Sequence, residues 1–238
     1  MAAETRDQRA ARIDLRDMDD FRYDPPLEPY LIVVHLDRDI AVVNKPSGLL
    51  SVPGRGPGLE DSVVARLRRD HAGALDVHRL DMDTSGLLVV ALRRKAERAL
   101  KQQFAERGVE KMYLARVAGL VEEDSGSIAL PLAPHPTEPL RHRVDYEAGR
   151  PAHTDWRVVS RDPASDSTLV ELRPTTGRSH QLRVHLLWLG HPILGDRFYA
   201  PADVVARAPC LRLHATELAF DHPYSQARMA FRCQPTFD

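Results

Sequence analysis

One segment, residues 78–88, combines charged residues with a small-residue turn and an apolar run. It places Asp81 between Arg79 and the apolar stretch that begins at Leu87. A carboxylate avoids apolar surroundings unless a cation or hydrogen-bond donors replace the water that it loses. Asp81 is therefore a candidate acid or nucleophile, and we expect it to have a cationic partner elsewhere in the chain.

A second segment, Thr176-Gly177-Arg178-Ser179-His180, predicts a glycine turn that leads into a helix. Ser179 is the expected N-cap of this helix, and Gly190 is expected to end it. The first N–H groups and the dipole of such a helix favour an anion. Arg178 and His180 can add positive charge there, so this segment is a candidate phosphate site.

Arg183 is the residue of that helix most in need of a partner. On the helical wheel it shares a face with Leu186 and Leu187, which draws it towards the interior. A half-buried Arg needs a carboxylate, and Asp81 is the one that we pair with it. On spacing alone this pairing is one option among many.

Periodicity and turn signals predict the elements that must position these residues. We expect strands over residues 31–35, 40–44, 111–117, 153–160 and 168–173, and helices over 60–71 and 93–107, the second closed by Gly108. Residues 122–150, rich in Pro, Gly and charge, predict no definite element. In the strand 111–117, Tyr113 can line a cleft, although most strand tyrosines are packed aromatics.

The composition indicates an ordinary globular chain with one core. At 238 residues, with 43% hydrophobic and 28% charged residues, it needs only one domain, and no apolar run approaches the length of a membrane helix. Residues 1–28 predict a charged, mobile N-terminal extension without a signal-peptide core, so a cytoplasmic location is expected. Cys210 and Cys233 are expected to be buried free thiols.

Charge and histidine spacing limit the classes of ligand. The net charge of −1 does not indicate a nucleic-acid binder. The basic residues are mostly Arg, which suits phosphate contacts but also follows from a general composition bias. His180, His185 and His191 lie five and six positions apart, which puts no two imidazoles on one helix face, so no metal is expected. No glycine-rich loop of a nucleotide cofactor is present.

Four separated motifs, in order, give the chain a family resemblance. They are Val42-Val43-Asn44-Lys45-Pro46-Ser47-Gly48-Leu49-Leu50-Ser51-Val52-Pro53-Gly54, the segment around Asp81, the strand that holds Tyr113, and Thr176–His185 with Gly190–Tyr199. With these motifs the chain resembles the RluA-type pseudouridine synthases, from about Pro29 to the C-terminus, with a thinner match over residues 122–150.

The resemblance implies the isomerisation of uridine to pseudouridine within RNA, without cofactor or metal. It implies that Asp81 is the essential acid, which either attacks C1′ of the ribose or removes a sugar proton. Tyr113 matches the tyrosine that packs against the uracil and helps to remove the C5 proton, and Arg183 matches the basic residue paired with the acid. Arg79 matches the residue that fills the space of the flipped base; its alternative is a surface phosphate contact.

The resemblance also implies an α+β fold: one catalytic domain over residues 29–238, with a mixed, mainly antiparallel sheet, flanking helices and a central cleft. Residues 1–28 are too few for the S4 RNA-binding domain of many relatives, so RNA recognition is expected from the catalytic domain. The implied substrates are large-subunit rRNA and the tRNA anticodon stem-loop, and we expect a monomer. Two alternatives are a non-catalytic RNA-binding module or chaperone and, with less support, a metal-dependent RNA hydrolase that uses the histidines.

Overall fold

A computed structural model describes residues 23–55, 57–138 and 140–237. Within these ranges the chain forms eleven strands and four helices. The strands are β1 Ile32–Leu36, β2 Ile40–Lys45, β3 Leu75–Asp76, β4 Ser85–Ala91, β5 Glu110–Ala118, β6 Ser125–Pro134, β7 His142–Val144, β8 Arg150–Asp162, β9 Ser167–Pro174, β10 Leu213–Asp221 and β11 Arg228–Arg232. The helices are α1 Val63–Leu67, α2 Arg94–Ala105, α3 Gln181–Trp188 and α4 Ala202–Val205.

The described chain divides into two compact units. The first unit holds the residues up to Tyr113 together with Leu213–Phe237, and the second holds Leu114–Arg212. Strand β5 carries the chain from the first unit into the second. The mixed, mainly antiparallel sheet with helices that the sequence predicts is confirmed, while the single-domain boundaries and the cleft stay predictions.

The sheet of the first unit runs in the order β1-β2-β4-β10, with β3 beside β4 and β11 beside β10. β4 and β10 are parallel, whereas β1–β2, β2–β4, β3–β4 and β10–β11 are antiparallel. β2 and β4 are buried over nearly their whole length because helices cover both faces.

Alternate residues of β2 supply the two halves of this core. Ile40 and Val42 pack in one cluster with Ala96 and Leu100 of α2. Ala41 and Val43 pack in another, which contains Val63, Val64 and Leu67 of α1. The period of two along the strand thus places one apolar layer under each helix.

In the second unit, β9, β8, β6 and β7 are neighbours in that order, and each of these pairs is antiparallel. Helix α3 contacts β6, β7 and β8, and Val184 packs there against Leu132, Ala152 and Tyr199. Strands β6 and β7 lie in the stretch for which the sequence predicts no element. Pairing with β8 holds β6 despite its prolines, and β7 pairs in turn with β6, because tertiary contacts outweigh local propensity.

The hairpin β1–β2 and the strands β5, β8 and β9 are confirmed, as is α2. The prediction of α1 was too long: the helix spans Val63–Leu67, with Ser62 as N-cap accepting a hydrogen bond from the backbone N–H of Ala65. Cys210 and Cys233 are free, as predicted, but only partly buried. No helix among the described residues is long and apolar enough to cross a bilayer.

Residues 1–22 of the predicted N-terminal extension lie outside the described residues. The following residues make specific contacts with the first unit. The Tyr23 hydroxyl donates to the Asp61 carbonyl at 2.9 Å and accepts from the Leu50 N–H at 3.0 Å. The buried Arg66 donates to the carbonyl of Pro26 at 2.8 Å and forms an ion pair with Asp61 at 2.7 Å. Tyr23 and Pro26, which lie within the predicted extension, therefore make specific contacts with the first unit.

Candidate active site

Asp81 lies in the turn that joins β3 to β4. Its backbone carbonyl accepts a hydrogen bond from the Thr84 N–H at 3.1 Å, and its side chain is partly exposed. Directly after the turn, β4 runs through the core with Leu87 and Leu88 each 1% exposed. The predicted arrangement, a carboxylate at the mouth of an apolar strand, is therefore present.

Lys45, at the end of β2, lies beneath this turn with no exposed surface. Its Nζ donates three hydrogen bonds to backbone carbonyls, those of Pro46 at 2.9 Å, Leu49 at 2.7 Å and Met82 at 2.8 Å. Burial lowers the pKa of this ammonium to about 7, while the negative charges of Asp83 and Asp81 oppose the shift. Lys45 occurs in the motif that carries the resemblance, but the sequence did not assign it a role.

Tyr113 is the last residue of the first unit and packs against the cluster that contains Leu80 and Leu88. Burial raises the pKa of its hydroxyl, and the negative charge of Asp81 raises it further. The negative charge of Asp81 thus acts on the hydroxyl of Tyr113, whereas the role of Tyr113 against the uracil stays a prediction. Because its pKa lies above the ordinary value, Tyr113 is a neutral phenol near pH 7 and can donate a hydrogen bond.

His78 and Arg79 differ in their surroundings. The His78 ring stacks on Phe104 with 4.5 Å between ring centroids, and its Nε2 accepts a hydrogen bond from the Val89 N–H at 3.1 Å. Burial, reinforced by the positive charge of Lys111, lowers the pKa of His78 to about 3, so the ring is neutral. Arg79 is exposed and makes no side-chain hydrogen bond or ion pair with the described residues.

In the second unit, Arg183 of α3 is 2% exposed and forms a bidentate ion pair with Asp196, which is 1% exposed. Arg183 Nε donates to Asp196 Oδ2 at 2.8 Å, and Nη2 donates to Oδ1 at 2.6 Å. The buried arginine predicted from the helical wheel is confirmed, but the sequence reasoning missed Asp196 as its carboxylate. The signal was available, because Asp196 lies in the fourth motif of the resemblance. The pairing of Arg183 with Asp81 stays a prediction.

The start of α3 differs from the prediction. His180, not Ser179, is the N-cap, and its backbone is left-handed with φ 54°. The ring of His180 lies against Tyr199, with 2.6 Å between His180 Nδ1 and the tyrosine hydroxyl oxygen. This contact, together with the Gln181 side chain that accepts from the Arg178 N–H at 3.0 Å, holds the turn without a serine cap.

Arg178 and His180 thus lie together at the N-terminal end of α3. The Nε of Arg178 donates to the Pro151 carbonyl at 3.1 Å, so its guanidinium is anchored on β8. The helix ends at Trp188, and Gly190 follows with a φ of 92°, which suits the residue after a C-cap. Phosphate binding by Arg178 and His180 stays a prediction.

Among the described residues, one group could offer three metal ligands: Asp37, Asp39 and His222. His222 Nδ1 accepts hydrogen bonds from the N–H groups of Tyr224 at 3.3 Å and Ser225 at 3.1 Å. Nε2 lies 3.3 Å from Oδ2 of Asp37. His222 therefore has a hydrogen-bonding or ionic partner at each ring nitrogen, and it links the turn after β10 to the turn between β1 and β2.

Comparison with known proteins shows which family and which proteins the chain is similar to. The family described as RNA pseudouridylate synthase matches residues 39–188, which lie in both units. The chain is 49% identical over 215 residues to the dual-specificity RNA pseudouridine synthase RluA of Pasteurella multocida, covering 90% of this chain and 98% of that protein. The RluA of Escherichia coli K12 is 52% identical over 217 residues, with the same coverage.

Solved structures agree with the sequence relatives. Human RNA Pseudouridylate Synthase Domain Containing 1 superimposes with a TM-score of 0.75 at 32% identity, covering 90% of this chain and 87% of that one. Human RNA Pseudouridylate Synthase Domain Containing 4 gives a TM-score of 0.66 at 26% identity, covering 86% and 89%. With half of its sequence shared with RluA proteins across nearly their whole length, the chain belongs to the RNA pseudouridylate synthase family, as an RluA-type member.

Proposed function

We propose that this chain converts specific uridines of large-subunit rRNA and of the tRNA anticodon stem-loop into pseudouridine, with Asp81 as the reacting carboxylate. The relatives in Pasteurella multocida and Escherichia coli K12 are named dual-specificity RNA pseudouridine synthases, which supports two classes of RNA substrate. The observation that carries the proposal is Asp81 itself: a partly exposed carboxylate on a fixed turn whose charge acts on Tyr113.

The reaction breaks the C1′–N1 bond, turns the freed uracil and joins C1′ to C5, after which C5 loses its proton and N1 takes one up. Atoms are neither gained nor lost, so a carboxylate and proton transfers can account for it without a cofactor or metal. Asp81 either forms a bond to C1′ as N1 departs or removes a sugar proton to start the cleavage. Both routes require its oxygen atoms to meet the ribose in a narrow range of positions.

Tyr113 suits a role against the face of the uracil. Its raised pKa keeps the hydroxyl protonated, which favours packing and hydrogen-bond donation over direct action as a phenolate base. If Tyr113 does take the C5 proton, its own phenolic proton must pass to another group at the same time. Asp81, the carboxylate whose charge acts on Tyr113, is the candidate acceptor.

Arg79, Arg178 and His180 form the RNA-binding part of the proposal, and Arg183 belongs to the catalytic part. Arg79 is exposed and makes no ion pair with the described residues, so its guanidinium can enter the space that a flipped base leaves. Arg178 and His180, at the start of α3, would contact phosphate, and Arg183 would keep Asp81 ionised. We further propose that the enzyme acts as a monomer in the cytoplasm.

The test uses purified protein with transcripts of large-subunit rRNA and of tRNA anticodon stem-loops. Carbodiimide modification followed by primer extension maps each new pseudouridine. We expect at least one stop with the wild-type chain, none with Asp81→Asn, and an unchanged stop with Asp70→Asn, an exposed aspartate outside this turn. RNA binding without any new pseudouridine would support the non-catalytic module instead.

A further inference from the structure

The segment that follows β2 forms hydrogen bonds with Leu80, the residue before Asp81. The hydroxyl of Ser51 donates to the Leu80 carbonyl at 2.8 Å and accepts from the Leu80 N–H at 3.1 Å. Ser51 is only 3% exposed, so water cannot easily replace either bond. Since the Leu80 carbonyl belongs to the peptide group that leads into Asp81, this hydroxyl fixes the plane of that peptide.

The same segment holds the residues after Asp81. The carbonyl of Met82 accepts from Lys45 Nζ at 2.8 Å and from the Gly48 N–H at 3.0 Å. The Ser47 hydroxyl donates to the carbonyl of Asp83 at 2.7 Å. The backbone is therefore fixed on both sides of Asp81, while its own side chain stays partly exposed.

These contacts explain how a surface turn can present a carboxylate with little freedom. We propose that Ser51 is a positioning residue for Asp81, and that its hydroxyl, with Lys45 and Ser47 on the other side, sets the direction of the carboxylate. The inference rests on the proposed function, because it takes Asp81 as the reacting group. A misplacement of about 1 Å in a reacting group can lower a rate by about a hundredfold.

The test compares Ser51→Ala with a matched control, Thr168→Val. Thr168 is fully buried in β9, and its hydroxyl donates to the Gly119 carbonyl at 2.9 Å and accepts from the Val121 N–H at 3.0 Å. Each variant thus removes one buried hydroxyl with one donated and one accepted backbone bond, but only Ser51 touches the Asp81 turn. Both are measured for RNA affinity and for the single-turnover rate with saturating RNA.

We expect Ser51→Ala to lower the single-turnover rate by at least about tenfold with RNA affinity within about twofold, since only alignment is lost. Thr168→Val should change neither value by more than about twofold. Equal rates for the two variants would overturn the proposal, and so would a loss of RNA affinity that accounts for the whole effect.

A second variant and a comparison with Asp81→Asn allow every result to be interpreted. If Ser51→Ala does not fold, Ser47→Ala replaces it: that variant removes a single bond from the turn and should show a smaller fall in rate with the same unchanged affinity. An active wild-type chain with an inactive Asp81→Asn and an unaffected Ser51→Ala refutes the positioning role alone. A wild-type chain that makes no pseudouridine refutes the proposed function.

Discussion

Acid should destabilise this protein at a higher pH than its carboxylates alone would suggest, because three histidines are held neutral in the fold. Burial lowers the pKa of His78 to about 3 and those of His185 and His214 to about 4. The positive charge of Lys111 adds to the effect at His78. A ring nitrogen of His78 accepts a hydrogen bond from the Val89 N–H, and a ring nitrogen of His214 shares a hydrogen bond with the Ser85 hydroxyl.

The sign follows from proton binding. In the unfolded chain a histidine titrates near about 6.5, so between that pH and the lowered folded pKa the unfolded state binds more protons. The contribution to stability is complete above about pH 6.5 and is lost as the pH falls towards 4. At pH 5 each histidine contributes about 2 kcal/mol less to the free energy of unfolding than it does at neutral pH. For the three histidines together the loss is about 6 kcal/mol, out of a typical total of 5–15 kcal/mol.

Urea unfolding at pH 7.5 and at pH 5.0 measures this loss. His185→Gln removes one titrating ring, so its free energy of unfolding should fall by about 2 kcal/mol less than that of the wild type between the two pH values. His71→Gln is the control, because the side chain of His71 makes no hydrogen bond with the described residues. If His185→Gln and the wild type lose the same free energy over this interval, the account of the buried neutral histidines is wrong.

Two other substitutions test the fold that positions the site. Asp196→Asn removes the negative charge that forms a bidentate pair with the buried guanidinium of Arg183, and it should lower the free energy of unfolding by about 3 kcal/mol. Asp124→Asn, in an ion pair whose carboxylate is 89% exposed, should cost less than about 1 kcal/mol, and equal urea midpoints for the two variants would contradict this. Gly86→Ala should lower the free energy of unfolding by at least about 2 kcal/mol, because φ of Gly86 is +109° and a Cβ there would lie 2.3 Å from a backbone oxygen of β10. The control is Gly177→Ala, whose added Cβ would have no atom within 4 Å and which should change the free energy of unfolding by less than about 0.5 kcal/mol.

The elements with strong local patterns could be predicted from the sequence. The β1–β2 hairpin follows from two β-branched runs around a polar turn, and α2 follows from a helical stripe whose residues Ala96 and Leu100 lie in the core. Asp81 was identified by its place before an apolar run, and the family motifs then singled out Tyr113. The charge of Asp81 acts on the hydroxyl of Tyr113, while the roles of both residues in the reaction stay predictions.

What the sequence could not show depends on contacts between distant segments. Asp196 reaches Arg183 from a loop thirteen residues further on, and no local periodicity marks such a partner. The N-cap prediction failed at Ser179 because His180 takes a left-handed backbone and places its ring against Tyr199. Lys45 has no charge pattern that reveals its role, since its three partners are backbone carbonyls.

The most direct test of the account is tritium release from RNA labelled at C5 of uracil, because only bond formation at C5 frees that label. The wild-type chain and Asp70→Asn should release tritium at similar rates, and Asp81→Asn should be slower by at least about a thousandfold. All three proteins should bind the RNA alike. Equal release from the wild type and Asp81→Asn would show that the carboxylate at this turn does not carry the reaction.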